Sequence, residues 1–281
     1  MRIRFFNALI VISSLLICSA CQKTHEKIVF IYNGPGVSQE SLKQTAAAVR
    51  KTLPAYPIEY IGPLRVIHDS WEEKAALFIL PGGADIPYMK ELNGAGNQKI
   101  KSYVANGGAF LGICAGSYYA GAFVDFAKNT SLEVQGKREL AFFPGVVKGP
   151  ILAQYDYLSQ KGARAAQLTW VASKGFKEDE KFTVFYNGGG YFEEATKSPN
   201  TSVLAYYDEE KKLAGIIECR IGKGIVILSG AHFEYDPSLL DANDVYLKTV
   251  IPLISEDNYH REFLVKHLFE RLLLKDKAGS Q

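Results

Sequence analysis

Four apolar runs limit what this chain can fold into: residues 28–32, 77–80, 109–113 and 225–228. None of them alternates with polar side chains, so each reads as a strand covered on both faces, as the strands of parallel sheets are. Residues 39–51 and 98–106 carry helical periodicity, and Gly107-Gly108 stops the second. Strand and helix in alternation predict an α/β fold, a three-layer doubly wound sandwich around a mostly parallel sheet. Antiparallel strands are expected to extend that sheet near residues 182–185, 203–207 and 213–219. A C-terminal amphipathic helix is expected over 256–275, with Phe263, Leu264, Leu268 and Leu272 on one face. No repeat and no linker interrupts residues 28–281, which read as one domain.

The third of those strands runs into Gly112-Ile113-Cys114-Ala115-Gly116. A strand, a sharp turn and a helix, here expected over 115–123, make the pattern of a nucleophile elbow. Its glycines permit the turn and a close approach of neighbouring backbone, which leaves the Cys114 side chain projecting into a cleft. A helix beginning behind the sulfur turns its positive end toward a thiolate. Downstream, the last strand ends at Gly230 and leads into Ala231-His232-Phe233-Glu234. Strand ends are where α/β folds place functional groups. There His232 can take the thiol proton, and Glu234 can orient the imidazole.

Two glycine-rich segments complete the candidate site. Pro81-Gly82-Gly83-Ala84 closes the second strand, and the N–H groups of Gly83 and Ala115 are candidates for an oxyanion hole. Asn187-Gly188-Gly189-Gly190-Tyr191-Phe192 lacks the Lys-Ser/Thr of a phosphate loop and reads either as a pocket lining or as a hairpin turn. Tyr118, Asn187 and Tyr191 are the candidate substrate-binding residues. The tyrosines at 118, 119, 155 and 157 belong either to the core or to a pocket wall.

With these residues in view the chain resembles the class I glutamine amidotransferase-like proteins, which have a flavodoxin-like fold. The resemblance rests on Leu80-Pro81-Gly82-Gly83, on the Cys114 elbow, and on Gly222-Lys223-Gly224 with Leu228 to Glu234. More narrowly, Tyr32-Asn33-Gly34-Pro35-Gly36 and Tyr186 to Phe192 are similar to the biotin-protein-ligase N-terminal-like group. By that resemblance Cys114, His232 and Glu234 form a catalytic triad. Glutamine-using members carry Gln four residues after the cysteine, where this chain has Tyr118, so glutamine specificity does not carry over. They often read His-Pro-Glu where this chain has His232-Phe233-Glu234, which keeps the spacing of the two polar residues. No synthetase or ligase domain is expected in this chain, and biotin ligation is not implied.

Arg2 and Arg4 precede an apolar stretch that ends near Cys18, and Ser19-Ala20 leads to Cys21. A basic start, a short apolar core and small residues before a cut describe a secretory signal over 1–20. The core is shorter than the roughly 20 apolar residues of a spanning helix. Cys21 after Ser-Ala resembles a bacterial lipobox, with 21–27 as lipid-attachment residue and tether. Gln22 is not the Asp that retains such proteins at the inner membrane, so an outer-membrane lipoprotein facing the periplasm is expected. The whole chain has 32 basic and 30 acidic residues. Removing 1–20 takes away Arg2 and Arg4 and no acid, which leaves 30 of each and no electrostatic case for nucleic acid.

Of the four cysteines, Cys114 and Cys219 remain as ordinary thiols, and Cys219 reads as a core residue. Scattered histidines imply no metal, and no cofactor is implied. The expectation is therefore a cysteine-dependent hydrolase of an amide or peptide bond, acting on a small-molecule or peptide substrate and held at the membrane by its lipid. The alternative is a lipoprotein of the same fold that binds such a ligand and does no chemistry.

Overall fold

The computed structural model describes residues 26–171, 180–208 and 210–273. The expected signal, the lipid-attachment Cys21 and the chain after 273 lie outside the described residues. β1 (Ile28–Tyr32), β2 (Ile58–Ile61), β3 (Ala75–Leu80) and β4 (Ala109–Ile113) alternate with α1 (Gln39–Thr52), α2 (Pro63–His68), α3 (Asp85–Leu92) and α4 (Ala95–Ala105). α5 (Ala115–Ala120) follows at once, and then β5 (Gly121–Phe126), β6 (Val134–Lys137) and β7 (Phe143–Gly149). The chain continues through β8 (Arg164–Trp170), β9 (Lys181–Tyr186), β10 (Tyr191–Phe192), β11 (Thr201–Asp208), β12 (Leu213–Ile221) and β13 (Gly224–Ser229). α6 (Val250–Glu256) and α7 (Asn258–Leu273) close it.

All strands among the described residues belong to one sheet, with a main path of order β2-β1-β3-β4-β13-β12-β10-β7-β5-β6. Its first five strands are mutually parallel, and β12 then pairs antiparallel with β13. The doubly wound parallel part is thus the one expected, and β9, β11 and β12 lie where antiparallel strands were expected. Strand alternation divides the core in two. Phe30, Tyr32, Phe78, Leu80, Phe110, Val226 and Leu228 pack on one face with Trp71 and Tyr119. Val29, Ile31, Leu77, Ile79, Leu111, Ile113 and Ile227 point to the other, against Val49 of α1 and Leu268 of α7. Each such side chain is worth about 1.5–3 kcal/mol when fully buried, which is why these runs carry no polar residue.

Two expectations need correction. The helix after Cys114 ends at Ala120, not at Phe123, because Gly121 adopts extended backbone and opens β5. There Val124 and Phe126 face the core, and β5 pairs with β7 in parallel. In α7 the buried face holds Leu264, Val265, Leu268, Phe269 and Leu272, while Phe263 is 46% exposed. The contiguous pair Leu264-Val265 turns the apolar stripe away from Phe263.

Candidate active site

The C-terminal ends of β1, β3, β4 and β13 lie side by side, and the candidate residues sit on the turns that leave them. Cys114 follows β4 with φ 50° and ψ −109°, a conformation that costs of order 1–3 kcal/mol in a non-glycine residue. Surrounding contacts impose it. The Cys114 N–H donates to the Ser229 carbonyl at 2.8 Å, and its carbonyl accepts from the N–H groups of Ser117 and Tyr118. A Cβ on Gly116 would stand 2.0 Å from the Leu80 carbonyl oxygen, so only glycine lets β3 come this close to α5. The thiol is 8% exposed, and its Sγ lies 3.8 Å from the Asn187 carbonyl.

His232 is 4% exposed and its N–H donates to the Phe185 carbonyl at 2.8 Å. Its Nδ1 is 2.8 Å from Glu234 Oε1; an ionised carboxylate only accepts, so Nδ1–H donates. The ring also lies close enough to Cys114 for the sulfur to favour its charged form. Burial works against the imidazolium, but Glu234 and Cys114 outweigh it and His232 is pushed up to about 10. Phe185 meets the imidazole edge to face at 5.9 Å and Tyr235 covers it at 4.3 Å, so aromatic faces flank a cation. The three candidates Cys114, His232 and Glu234 therefore form one chain of contacts. Cys219 contrasts with them: it is 1% exposed in β12, and burial pushes its thiol up to about 12. Both cysteines are free.

The departures from the glutamine-using pattern have local explanations. Phe233 is fully buried against Phe269 of α7, and its carbonyl accepts from Arg261 Nη1 at 3.0 Å. Packing and that hydrogen bond hold the His-x-Glu segment where other proteins use proline. Tyr118, 4% exposed, donates its hydroxyl to the Gly188 carbonyl at 3.2 Å and so props the glycine-rich loop.

The pocket in front of Cys114 is lined by Gly83, Asp85, Ala115, Tyr118, Tyr155 and Asn187, among others. Gly83 has φ +148°, and a Cβ there would meet the Gly36 carbonyl oxygen at 2.0 Å. Its N–H makes no backbone hydrogen bond among the described residues, and Ala115 opens α5 without an intrahelical acceptor. Asn187 Nδ2 donates to Gln160 Oε1, whereas its Oδ1 is buried with no partner among the described residues. Tyr191 lies elsewhere: it lines the neighbouring groove and not the Cys114 pocket.

Sequence reading missed a polar support under the site. Ser41 of α1 is fully buried, its Oγ accepts from the Gly82 N–H at 2.8 Å, and the Tyr235 hydroxyl lies near it. Gln44, one turn on, accepts from the Asp236 N–H at 2.8 Å. The available signal was a stripe of uncharged polar residues, Ser41, Gln44 and Thr45, beside the apolar face of a helix whose other side carries charges. Asp85 and Arg138 were missed as well. Both are buried and ion-paired, with Nε 2.8 Å from Oδ2; burial raises the carboxyl and Arg138 pulls it back.

One substitution tests this packing. A Cβ on Gly82 would lie 2.6 Å from His232 Cε1 and 3.1 Å from Ser41 Oγ. Gly82→Ala is expected to displace the imidazole and slow alkylation of Cys114 by iodoacetamide about tenfold, for a loss of ~1.4 kcal/mol in orientation. An unchanged alkylation rate would show that the turn yields without moving the ring.

Comparison with known proteins gives first the class and then the family. A ThuA-like protein of Bacteroides uniformis superposes with a TM-score of 0.51 at 10% identity, over 92% of this chain and 96% of that one. The architecture is accordingly the flavodoxin-like fold of the class I glutamine amidotransferase-like proteins. Within it, the profile described as "Biotin-protein ligase, N terminal" matches residues 27–281, and the chain belongs to that family. A biotin–protein ligase of Schizosaccharomyces pombe is 37% identical over 81% of this chain, which spans only 36% of the length of that enzyme. An uncharacterized protein of Chlamydia muridarum is 34% identical over 87% of this chain and 96% of its own.

Proposed function

We propose that this chain is a cysteine-dependent hydrolase of an amide-type carbonyl, held at the bacterial envelope through a lipidated Cys21. The observation that carries the reading is a strained elbow cysteine beside a buried histidine whose Nδ1 lies 2.8 Å from Glu234. In the first half-reaction Cys114 passes its proton to His232 and its Sγ attacks the carbonyl carbon, and the oxyanion is received by the N–H groups of Gly83 and Ala115. His232 gives its proton to the departing amine as the C–N bond breaks, which leaves a thioester on Cys114. Water then attacks the thioester, giving a proton to His232, which returns it to the sulfur as the C–S bond breaks and the carboxylic acid leaves.

Biotin ligation forms no part of this reading, which concerns only the domain shared with the S. pombe ligase. The test is incubation with p-nitrophenyl acetate and a panel of amides, followed by intact mass. An acetyl adduct confined to Cys114, formed faster than on the unfolded chain, with release of product, is expected. A ligand bound with equal affinity by the parent and by Cys114→Ala, with no product and no adduct, would replace this reading by the binding-only one.

A further inference from the structure

The pocket before Cys114 is small, with a volume of ≈ 30 Å³. That is room for about two water-sized groups. Val124, Phe126, Tyr118 and Tyr155 give its wall an apolar surface that suits a methyl group and penalises an unpaired polar one. The rings brace one another edge to face: Tyr118 on Phe126 at 5.5 Å, Phe126 on Tyr155 at 5.9 Å, and Tyr155 on Tyr157 at 4.7 Å. Behind, a Cβ on Gly188 would come within 2.5 Å of Tyr155 Cδ2, so this ring has no room to retreat across the glycine loop. The segment that carries Tyr155 is pinned at its base, where Tyr186 Oη accepts from the Ile151 N–H at 2.7 Å and donates to the Gly189 carbonyl.

On the far side of Tyr155 runs a groove of ≈ 730 Å³, lined by Asp125, Lys128, Lys148, residues 149–155 and Tyr191. Tyr155 is the residue that lines both spaces. The geometry points to Tyr155 as the specificity-determining wall of the site, which restricts Cys114 to short-acyl substrates, those with an acyl group of acetyl size, and excludes interior peptide bonds and long acyl chains. The chemistry of that substrate class rests on the hydrolase reading above; the size limit does not. One methylene too many in an apolar pocket costs about 1–3 kcal/mol, or 10–200-fold in rate. Removing the Tyr155 ring opens the pocket into the groove.

The size limit is measured by thiol labelling of the full chain with methyl and benzyl methanethiosulfonate, followed by mass at Cys114, and the chemistry by kcat/KM for p-nitrophenyl acetate and hexanoate. The parent is expected to prefer methyl over benzyl reagent, and acetate over hexanoate, by about tenfold or more. Tyr155→Ala should erase both preferences by raising the rates of the larger partners, while Tyr155→Phe, which keeps the ring, should retain them. Equal rates for both thiol reagents in the parent, or an unaltered ratio in Tyr155→Ala, would overturn the inference whatever the esters do. Size-selective thiol labelling without turnover of any ester would sink the hydrolase reading alone and leave the wall in place.

Discussion

His232→Ala is expected to lower turnover about 10²–10⁴-fold, the span that a positioned acid–base group contributes. The same side chain must remove the thiol proton and deliver one to the leaving amine, and the hydrogen bond of the Cys114 sulfur goes to the Asn187 carbonyl, which cannot take up a proton in its place. The pH profile carries the sharper test. Burial alone would lower the imidazole, yet the charge of Glu234 and the contact with Cys114 push it up to about 10 from an ordinary value near 6.5. The proton is therefore held through neutral pH and lost near 10. Turnover should hold from pH 7 upward and fall as pH approaches 10. Glu234→Gln keeps the hydrogen-bonding shape but removes the counter-charge, so burial dominates and the alkaline fall moves to lower pH.

Linkage gives the same group a part in stability. A folded-state value raised above the unfolded one stabilises fully below about 6.5, and that contribution is lost as pH rises through about 10. Thermal unfolding of the parent should weaken between those limits, and His232→Ala should lose that part of the dependence. Matching profiles for parent and variant, in both rate and melting temperature, would remove His232 from its role.

The fold was legible where apolar runs were continuous. β1, β3, β4 and β13 are covered on both faces, and a run without polar interruption has few other uses. Gly121 to Phe123, the first half of β5, reads as a continuation of the helix that Ala115 begins, and only the pairing of β5 with β7, distant in sequence, decides where that helix stops. Phe263 misled for a related reason: in a helix with apolar neighbours on two sides, tertiary contact selects the face. The triad residues and the Gly83 and Ala115 N–H groups could be located because each occupies a strand end marked by glycine. Ser41 and Tyr235 could not. Their role is to connect the Gly82 turn to the imidazole, and that connection crosses from α1 to the segment after β13, which no local pattern encodes. Tyr191 shares the glycine-rich loop with Asn187 but points to another groove, since β10 begins with it and adjacent strand positions face opposite sides.

Cys21→Ser is expected to move the protein from the detergent-extracted membrane fraction to the soluble one, or to leave it uncleaved. A single acyl chain binds a bilayer only marginally, whereas the several chains of a bacterial lipoprotein hold firmly, so the loss should be near complete. The structure adds a direction to that anchor. From a lipidated Cys21, six residues of chain would reach about 20 Å at most, and Lys27 Nζ donates to the Glu73 carbonyl at 2.8 Å. β1 starts one residue later and runs toward the edge of the sheet that bears Cys114 and His232. At about 3.3 Å per residue its five residues separate tether and catalytic edge by roughly 17 Å. Under the proposed anchoring, a lipid on Cys21 would attach at the end of the sheet opposite the pocket, which would leave Cys114 open to dissolved compounds and turned from the bilayer. Thiol labelling of Cys114 in intact membranes should match the rate of the detergent-solubilised protein. A labelling rate that rises on solubilisation would place the pocket against the bilayer, and an unmodified Cys21 in the mature protein would remove the anchor altogether.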